Sequence, residues 1–250
     1  MLLVRRDFVA QYKQTILGPA WHLIQPIFTT LVFTLVFGHI AKISTEGVPP
    51  FLFYMAGTTV WAYFSNVLAT TANTFIGNAG IFGKVYFPRI VMPVATLFSR
   101  MISFATQTAL FLVLVAWYWL AEGAITPNIA VLLAPVLILM MAVFSLALGI
   151  IVSALTIRYR DLAVVVGFGV QLYMYMSPIV YPISALPEKW QPLAMLNPVA
   201  PILEGLRYAF LGSGQLNFMA LGVSALTILV ALLIGIFLFN RVERTFMDTV

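Results

Sequence analysis

Thr59, Tyr63, Asn66, Thr70 and Asn73 recur at steps of four and three, which puts five hydrogen-bonding side chains on one helix face. The surrounding sequence is apolar, and two asparagines in one membrane helix are costly unless they meet partners or water. The stripe therefore reads either as the wall of a polar pathway or as hydrogen bonding between helices, at about 0.6 kcal/mol per contact. Aromatic side chains lie in comparable stretches: Phe33, Phe37, Tyr54, Trp61, Tyr173 and Tyr175. Phe33 and Phe37 share a helix face, and so do Gln171 and Tyr175. Such rings stack on the apolar faces of a sugar while Asn and Gln meet its hydroxyls. The same wall suits a lipophilic drug. Trp117, Tyr118 and Trp119 have the simpler reading of a headgroup belt at a span end.

Few residues are placed for covalent or acid–base chemistry. His22 and His39 stand alone near the two ends of one apolar stretch, with no carboxylate at metal-ligand spacing. No Gly-x-x-x-x-Gly-Lys phosphate loop, nucleophile elbow or pair of intramembrane carboxylates occurs. The chain itself is therefore not expected to hydrolyse ATP, and an acidic proton relay inside the membrane is missing. The absence of cysteine excludes disulfides, thiolate metal sites and a cysteine nucleophile. No catalytic residue, metal site or directly bound cofactor is expected.

The elements that would carry these residues follow from composition. Of 250 residues, 62% are hydrophobic and only 8% are charged, where a soluble domain carries about 25% charged residues. The charges cluster and leave apolar runs of about 20 residues or more, long enough to cross a bilayer as helix. The alternation of a membrane barrel is missing. The expected fold is all-α and integral to the membrane, with six spans over 21–43, 51–75, 93–120, 129–155, 162–181 and 219–239. No Asp, Glu, Lys or Arg occupies their central turns, where each would cost about 2.5–3.5 kcal/mol. Pro135 is expected to kink the fourth span.

Orientation follows from Lys and Arg. With both termini cytosolic, Arg5, Arg6, Lys13, Lys84, Arg89, Arg100, Arg158, Arg160, Arg241 and Arg244 lie inside, and Lys42, Lys189 and Arg207 lie outside. Ten against three is a strong positive-inside bias. Acidic residues split four and four and do not argue.

The connecting segments hold the remaining signals. Arg5-Arg6 suggests a twin-arginine export signal, but the polar Gln11-Tyr12-Lys13-Gln14 follows where an apolar stretch would be needed. Residues 1–20 read instead as an amphipathic segment on the inner membrane surface, with Arg5, Arg6 and Lys13 meeting anionic headgroups. No cleaved signal is expected. Lys84-Val85-Tyr86-Phe87-Pro88-Arg89 and Arg158-Tyr159-Arg160-Asp161 form two basic knobs. Membrane anchoring explains their cations, while the aromatic centre of the first is also suited to a groove in a partner. Residues 183–218 are half apolar, broken by proline and charged, so they fit re-entrant or surface-lying helices better than a span. Glu204 and Arg207 within them can pair at i, i+3. The segment reads as an outer gate or as a plain surface loop.

These runs resemble the transmembrane permease subunit of polysaccharide-exporting ATP-binding-cassette transporters, the exporters of O-antigen, capsule and teichoic acid. The matching residues are Tyr12-Lys13-Gln14-Thr15-Ile16-Leu17-Gly18-Pro19-Ala20-Trp21, the two knobs, Ser177-Pro178-Ile179-Val180-Tyr181-Pro182, Pro187-Glu188-Lys189-Trp190 and Leu196-Asn197-Pro198. They keep the family's order and cover nearly the whole chain. The resemblance implies a single permease domain over 1–250 in a bacterial inner (cytoplasmic) membrane, working as a homodimer with two cytosolic ATPase subunits that carry ATP and Mg. It implies that 76–92, with Lys84, Val85, Tyr86, Phe87, Pro88 and Arg89, forms the coupling segment. Arg158, Arg160 and Asp161 would make a second cytosolic contact within 156–162. It implies a channel at the dimer centre lined by Phe33, Phe37, Tyr54, Trp61, Tyr63, Asn66, Asn73, Gln171 and Tyr175. Residues 183–211 and the turn before them would form an outer gate with Pro178, Tyr181, Pro182, Pro198, Glu204 and Arg207. The substrate would be a lipid-linked glycan presented near the N-terminal surface helix. Only eleven residues precede Tyr12, fewer than in many members, so that helix is expected to be short.

The sequence thus reads as an ATP-driven exporter permease for a lipid-linked, O-antigen-like polysaccharide. A drug or lipid exporter of the same superfamily would share the knobs. An intramembrane glycan-modifying enzyme would need converging carboxylates or histidines, and Glu122, Glu188 and Glu204 are scattered.

Overall fold

The computed structural model describes residues 17–74, 77, 88–156 and 161–246, and all of their regular structure is helical. Helix α1 (Trp21–Phe33) runs on through a wider π segment, Thr34–Ile40. Helix α2 (Pro50–Ala72) starts on a proline, whose missing N–H costs nothing in a first turn. Helix α3 (Val91–Trp117) continues through Tyr118–Glu122 and stops at Gly123, at φ 61°. A tight turn, Ile129–Leu133, leads into α4 (Ala134–Thr156), and the Asn128 side chain caps that turn by accepting from the Ala130 amide at 2.9 Å. Helices α5 (Leu162–Met176), α6 (Gln191–Met195), α7 (Val199–Leu211) and α8 (Phe218–Phe246) complete the order.

Among the described residues, four stretches are long and apolar enough to cross a membrane: Trp21–Ile40, Val91–Glu122, Ile129–Thr156 and Phe218–Val242. The other two expected spans differ for physical reasons. Helix α2 has 23 residues, about 34 Å of helix, but it carries the polar stripe. Helix α5 ends at Met176 rather than continuing to 181. Ser177 precedes Pro178 and takes an extended backbone (φ −99°, ψ 148°), because proline disfavours helix in the residue before it. The remaining 15 residues make about 22 Å of helix, less than a hydrocarbon core of about 30 Å. Pro135 does not interrupt the fourth stretch: it lies in the first turn of α4, where the orphan amide position tolerates it.

Helix α2 forms the centre and packs against α1, α3, α4, α5 and α7, while α8 packs on α4. Leu52, Phe53, Met55, Phe64 and Val67 on α2 have no exposed surface. Gly149 brings α4 close to α2: a Cβ there would lie 2.6 Å from Cβ of Thr71. Helices α2 and α4 end together, with Thr156 Oγ1 donating to the Ala72 carbonyl at 3.3 Å. The outward faces are apolar, with Phe98, Val113, Val164, Phe168, Leu226 and Phe237 exposed, as expected where the solvent is lipid.

Candidate functional site

The densest polar chemistry lies at the end of the bundle where α2 begins. Pro178 and Pro182 hold 177–182 out of helix, so its buried carbonyls need donors from elsewhere. Arg207 of α7 supplies them: Nη1 donates to the Pro178 carbonyl at 2.7 Å and Nη2 to the Ile179 carbonyl at 2.8 Å. Its guanidinium lies 3.8 Å from the centre of the Phe53 ring. Gly57 leaves the room for this seat, since a Cβ there would stand 3.1 Å from Nη2 and 3.0 Å from the Ile179 carbonyl. Glu204, one turn earlier, pairs with Arg207 at 3.5 Å and accepts from the Ile183 amide at 3.5 Å. Both side chains are essentially fully buried. Burial pushes the Glu204 carboxyl above its ordinary range and Arg207 pulls it back. Burial brings Arg207 down to about 10, still charged at neutral pH. Glu46 acts on both charges and accepts a 2.6 Å hydrogen bond from Ser184.

A second set of bonds anchors the start of α7. Asn197 Oδ1 accepts from the Tyr173 hydroxyl at 2.5 Å and from the Val199 amide at 3.0 Å, while Nδ2 donates to Ser177 Oγ at 2.9 Å. Of the expected gate residues, Pro178, Pro182, Pro198, Glu204 and Arg207 are therefore buried together, and Tyr181 is half-buried beside them with its hydroxyl on the Tyr175 carbonyl at 3.3 Å. Neither a surface-lying helix nor a plain surface loop describes α7, because its polar side chains are consumed by backbone from 177–183. Asn197, Ser177, Phe53 and Glu46 belong to the cluster but were not among the expected gate residues. The one available signal was Asn-Pro ahead of an amphipathic helix, a capping pattern.

The expected channel residues divide. Tyr54, Trp61 and Tyr63 are buried within this chain. Trp61 packs against Phe64 and Tyr173 with centroids 5.1 Å and 5.8 Å away, and Tyr63 against Phe104 at 4.7 Å. Asn66, Asn73, Gln171 and Tyr175 are exposed, and Phe33 and Phe37 are half-buried. The regular stripe on α2 thus splits, with Thr59 and Tyr63 inside and Asn66 and Asn73 outside. Each asparagine donates to the carbonyl four residues back, at 2.7 Å and 2.9 Å. Phe33, Phe37, Tyr54 and Phe53 make a chain of ring contacts, with centroids 5.3, 6.4 and 5.5 Å apart, that ends on Arg207.

Arg89 is buried and Pro88 and Asp161 are exposed. Arg5, Arg6, Lys13, Lys84, Val85, Tyr86, Phe87, Arg158 and Arg160 lie outside the described residues.

Apolar faces turned outward and polar chemistry held in the interior define a multi-pass helical membrane protein. Residues 1–211 match the ABC-2 type transporters, and the chain belongs to that family. It is 25% identical to the O-antigen export system permease protein RfbA of Klebsiella pneumoniae, over 99% of this chain and 93% of that protein. It is 29% identical to the RfbA permease of Myxococcus xanthus, over 83% of this chain and 78% of the relative. The inner membrane transport permease YadH of Escherichia coli (strain K12) is 26% identical over 76% of this chain and 75% of its own length. A transport permease, rather than an enzyme, is what this family membership supports.

Proposed function

We propose that the chain is the membrane subunit of an ATP-driven exporter that moves a lipid-linked, O-antigen-like polysaccharide across the bacterial cytoplasmic membrane. The observation that carries this reading is likeness over nearly the whole chain to proteins named as O-antigen export permeases. In this reading α2, and α5 together with the turn that follows it, complete six crossings, with both termini cytosolic, and two copies enclose the channel. Helix α2 is shielded from lipid by its neighbours, which lets a polar stripe sit at membrane depth. Asn66, Asn73, Gln171 and Tyr175 are exposed on one copy and would face the glycan with Phe33 and Phe37. Tyr54, Trp61 and Tyr63 would support that wall from behind.

ATP and Mg act on a separate cytosolic ATPase, two copies per exporter. Its stroke would enter through Lys84, Val85, Tyr86, Phe87, Pro88 and Arg89 and through Arg158, Arg160 and Asp161. Arg5, Arg6 and Lys13 would lie along anionic headgroups. The cluster of Pro178, Tyr181, Pro182, Pro198, Glu204 and Arg207 would form the outer gate.

The test is loss of the chain in its own host. Export predicts lipid-linked glycan accumulating on the cytosolic face and missing from the cell surface. A drug or lipid exporter, the reading that the YadH likeness keeps open, predicts normal surface glycan and altered efflux of small amphiphiles.

A further inference from the structure

A cleft of about 490 Å³ lies where α8 begins, between that helix and the segment that carries α6. Helix α6 packs on α7 and on the short turn Ile183–Ala185, while α8 packs on α4 and α7, and the cleft is the space left between them. Ile183, Pro192, Met195 and Leu196 line it from one side, and Met219 and Val223 from α8. Two methionines let such a wall fit a flexible chain. Four polar side chains join them: Glu188, Gln191, Gln215 and Asn217. Gln191 Nε2 donates to the Leu186 carbonyl at 3.0 Å, which leaves Oε1 to accept. Asn217 Oδ1 accepts from the Ala220 amide at 3.0 Å, which leaves Nδ2 to donate. Acceptors thus stand at 188 and 191, and amide donors at 215 and 217.

Charge and shape select the occupant. Among the described residues that line the cleft, Glu188 alone is charged, and it is exposed. No hydrogen bond or ion pair engages its carboxylate among the described residues. The neighbouring Lys189 lies with Nζ 5.7 Å from the centre of the Trp190 ring and does not line the cleft. A lone carboxylate is complementary to a cation. The apolar wall continues along α8, where Met219, Val223, Leu226 and Val230 are exposed at helical spacing, a track for an alkyl chain. Residues Phe218–Val242 are long and apolar enough to cross a membrane, so the cleft stands at the level where the head of a bilayer lipid meets its chains. A primary ammonium donates hydrogen bonds, which suits Glu188 and Gln191. A quaternary ammonium donates none and is held by aromatic rings, and none of the described lining residues is aromatic. An anionic head would meet a carboxylate and, among the same residues, no lysine or arginine.

We propose that this cleft holds a phosphatidylethanolamine of the surrounding bilayer. Its ammonium meets Glu188 and Gln191, its phosphate meets the amides of Gln215 and Asn217, and one acyl chain follows Met219, Val223 and Leu226. The site does not rest on the exporter reading.

The test titrates the purified full-length chain with phosphatidylethanolamine, phosphatidylcholine and phosphatidylglycerol of matched acyl chains, reading occupancy by native mass spectrometry. Phosphatidylethanolamine should bind about tenfold tighter than the other two. Glu188→Gln keeps the side chain's shape and removes its charge. It should weaken phosphatidylethanolamine about tenfold and leave phosphatidylcholine as it was, which erases the preference. Glu122→Gln alters an exposed carboxylate outside the cleft and should leave all three affinities unchanged. Equal binding of the three lipids, a preference that survives Glu188→Gln, or one lost equally in Glu122→Gln overturns the proposal. So does phosphatidylethanolamine on the monomer but not on a dimer, which would make the cleft a seat for a second copy. None of these measurements depends on export, so failure of the site leaves the transport reading standing, and failure of export leaves the site standing.

Discussion

Arg207→Met tests whether the buried guanidinium holds together the end of the bundle where α2 begins. Methionine keeps an unbranched chain against Phe53 but removes donors that stand 2.7 Å and 2.8 Å from the Pro178 and Ile179 carbonyls and 3.5 Å from Glu204. Removing one partner of a buried ion pair costs about 3–5 kcal/mol, and each orphaned carbonyl costs about 1 kcal/mol or more. These losses overlap, which gives a total of about 5 kcal/mol. At about 2–4 °C per kcal/mol for a chain of this size, the apparent melting temperature in detergent should fall by roughly 10–20 °C. Adding Glu204→Gln removes the stranded charge and should recover about half. The pH dependence has a definite sign. Burial already raises the Glu204 pKa in the folded state, and loss of Arg207 raises it further. Stability from the protonated carboxyl is fully present below its unfolded pKa and is lost as pH rises through the folded one. The single variant should therefore fall further below wild type at pH 8 than at pH 5. A melting temperature within about 2 °C of wild type, or a double variant no more stable than the single one, refutes this account of the cluster.

Asn197→Ala removes one acceptor atom shared by Tyr173 and Val199 and one donor to Ser177; it should cost about 2 kcal/mol, seen as a lower melting temperature and faster proteolysis between α5 and α7. Gly149→Val places its Cβ 2.6 Å from Thr71 Cβ and should cost about 1–3 kcal/mol through overpacking, read by the same melt, whereas alanine at the exposed neighbour Leu155 should change little. Replacing Tyr86 and Phe87 with alanine should leave insertion and folding intact while abolishing ATP-driven glycan export, measured in vesicles with the partner ATPase; export at the wild-type rate rejects the coupling role.

Much of the fold was legible because lipid as solvent demands long apolar helices with charges at their ends. The starts of α1, α2, α3, α5 and α8 fall within two residues of the expected span starts, while α4 begins five residues late because a tight turn leads into it. The stop at Met176 was written in Ser177-Pro178, but an apolar run through Tyr181 masked it. The Glu204–Arg207 spacing announced a pair, and the pair forms. Its burial was invisible, since the carbonyls that consume Arg207 lie 28 and 29 residues away in sequence. The α2 stripe divides for a different reason. Spacing places residues on a face, but the five helices packed around α2 decide which part of the face stays open. Asn66 and Asn73 also satisfy themselves on their own helix, a solution that a count of polar residues does not reveal.

The burial of α7 limits how a mouth at this end could widen. Lifting α7 alone would strip cover from Val199, Ile202, Leu203, Leu206 and Leu211, each at most 5% exposed. At about 1.5–3 kcal/mol per side chain, that is roughly 8–15 kcal/mol, as much as the whole stability of an ordinary domain. Helix α7 is thus keystone rather than hinge. It can travel only as one block with the head of α2 and the 177–183 turn, and any aperture must open along the outer boundary of that block.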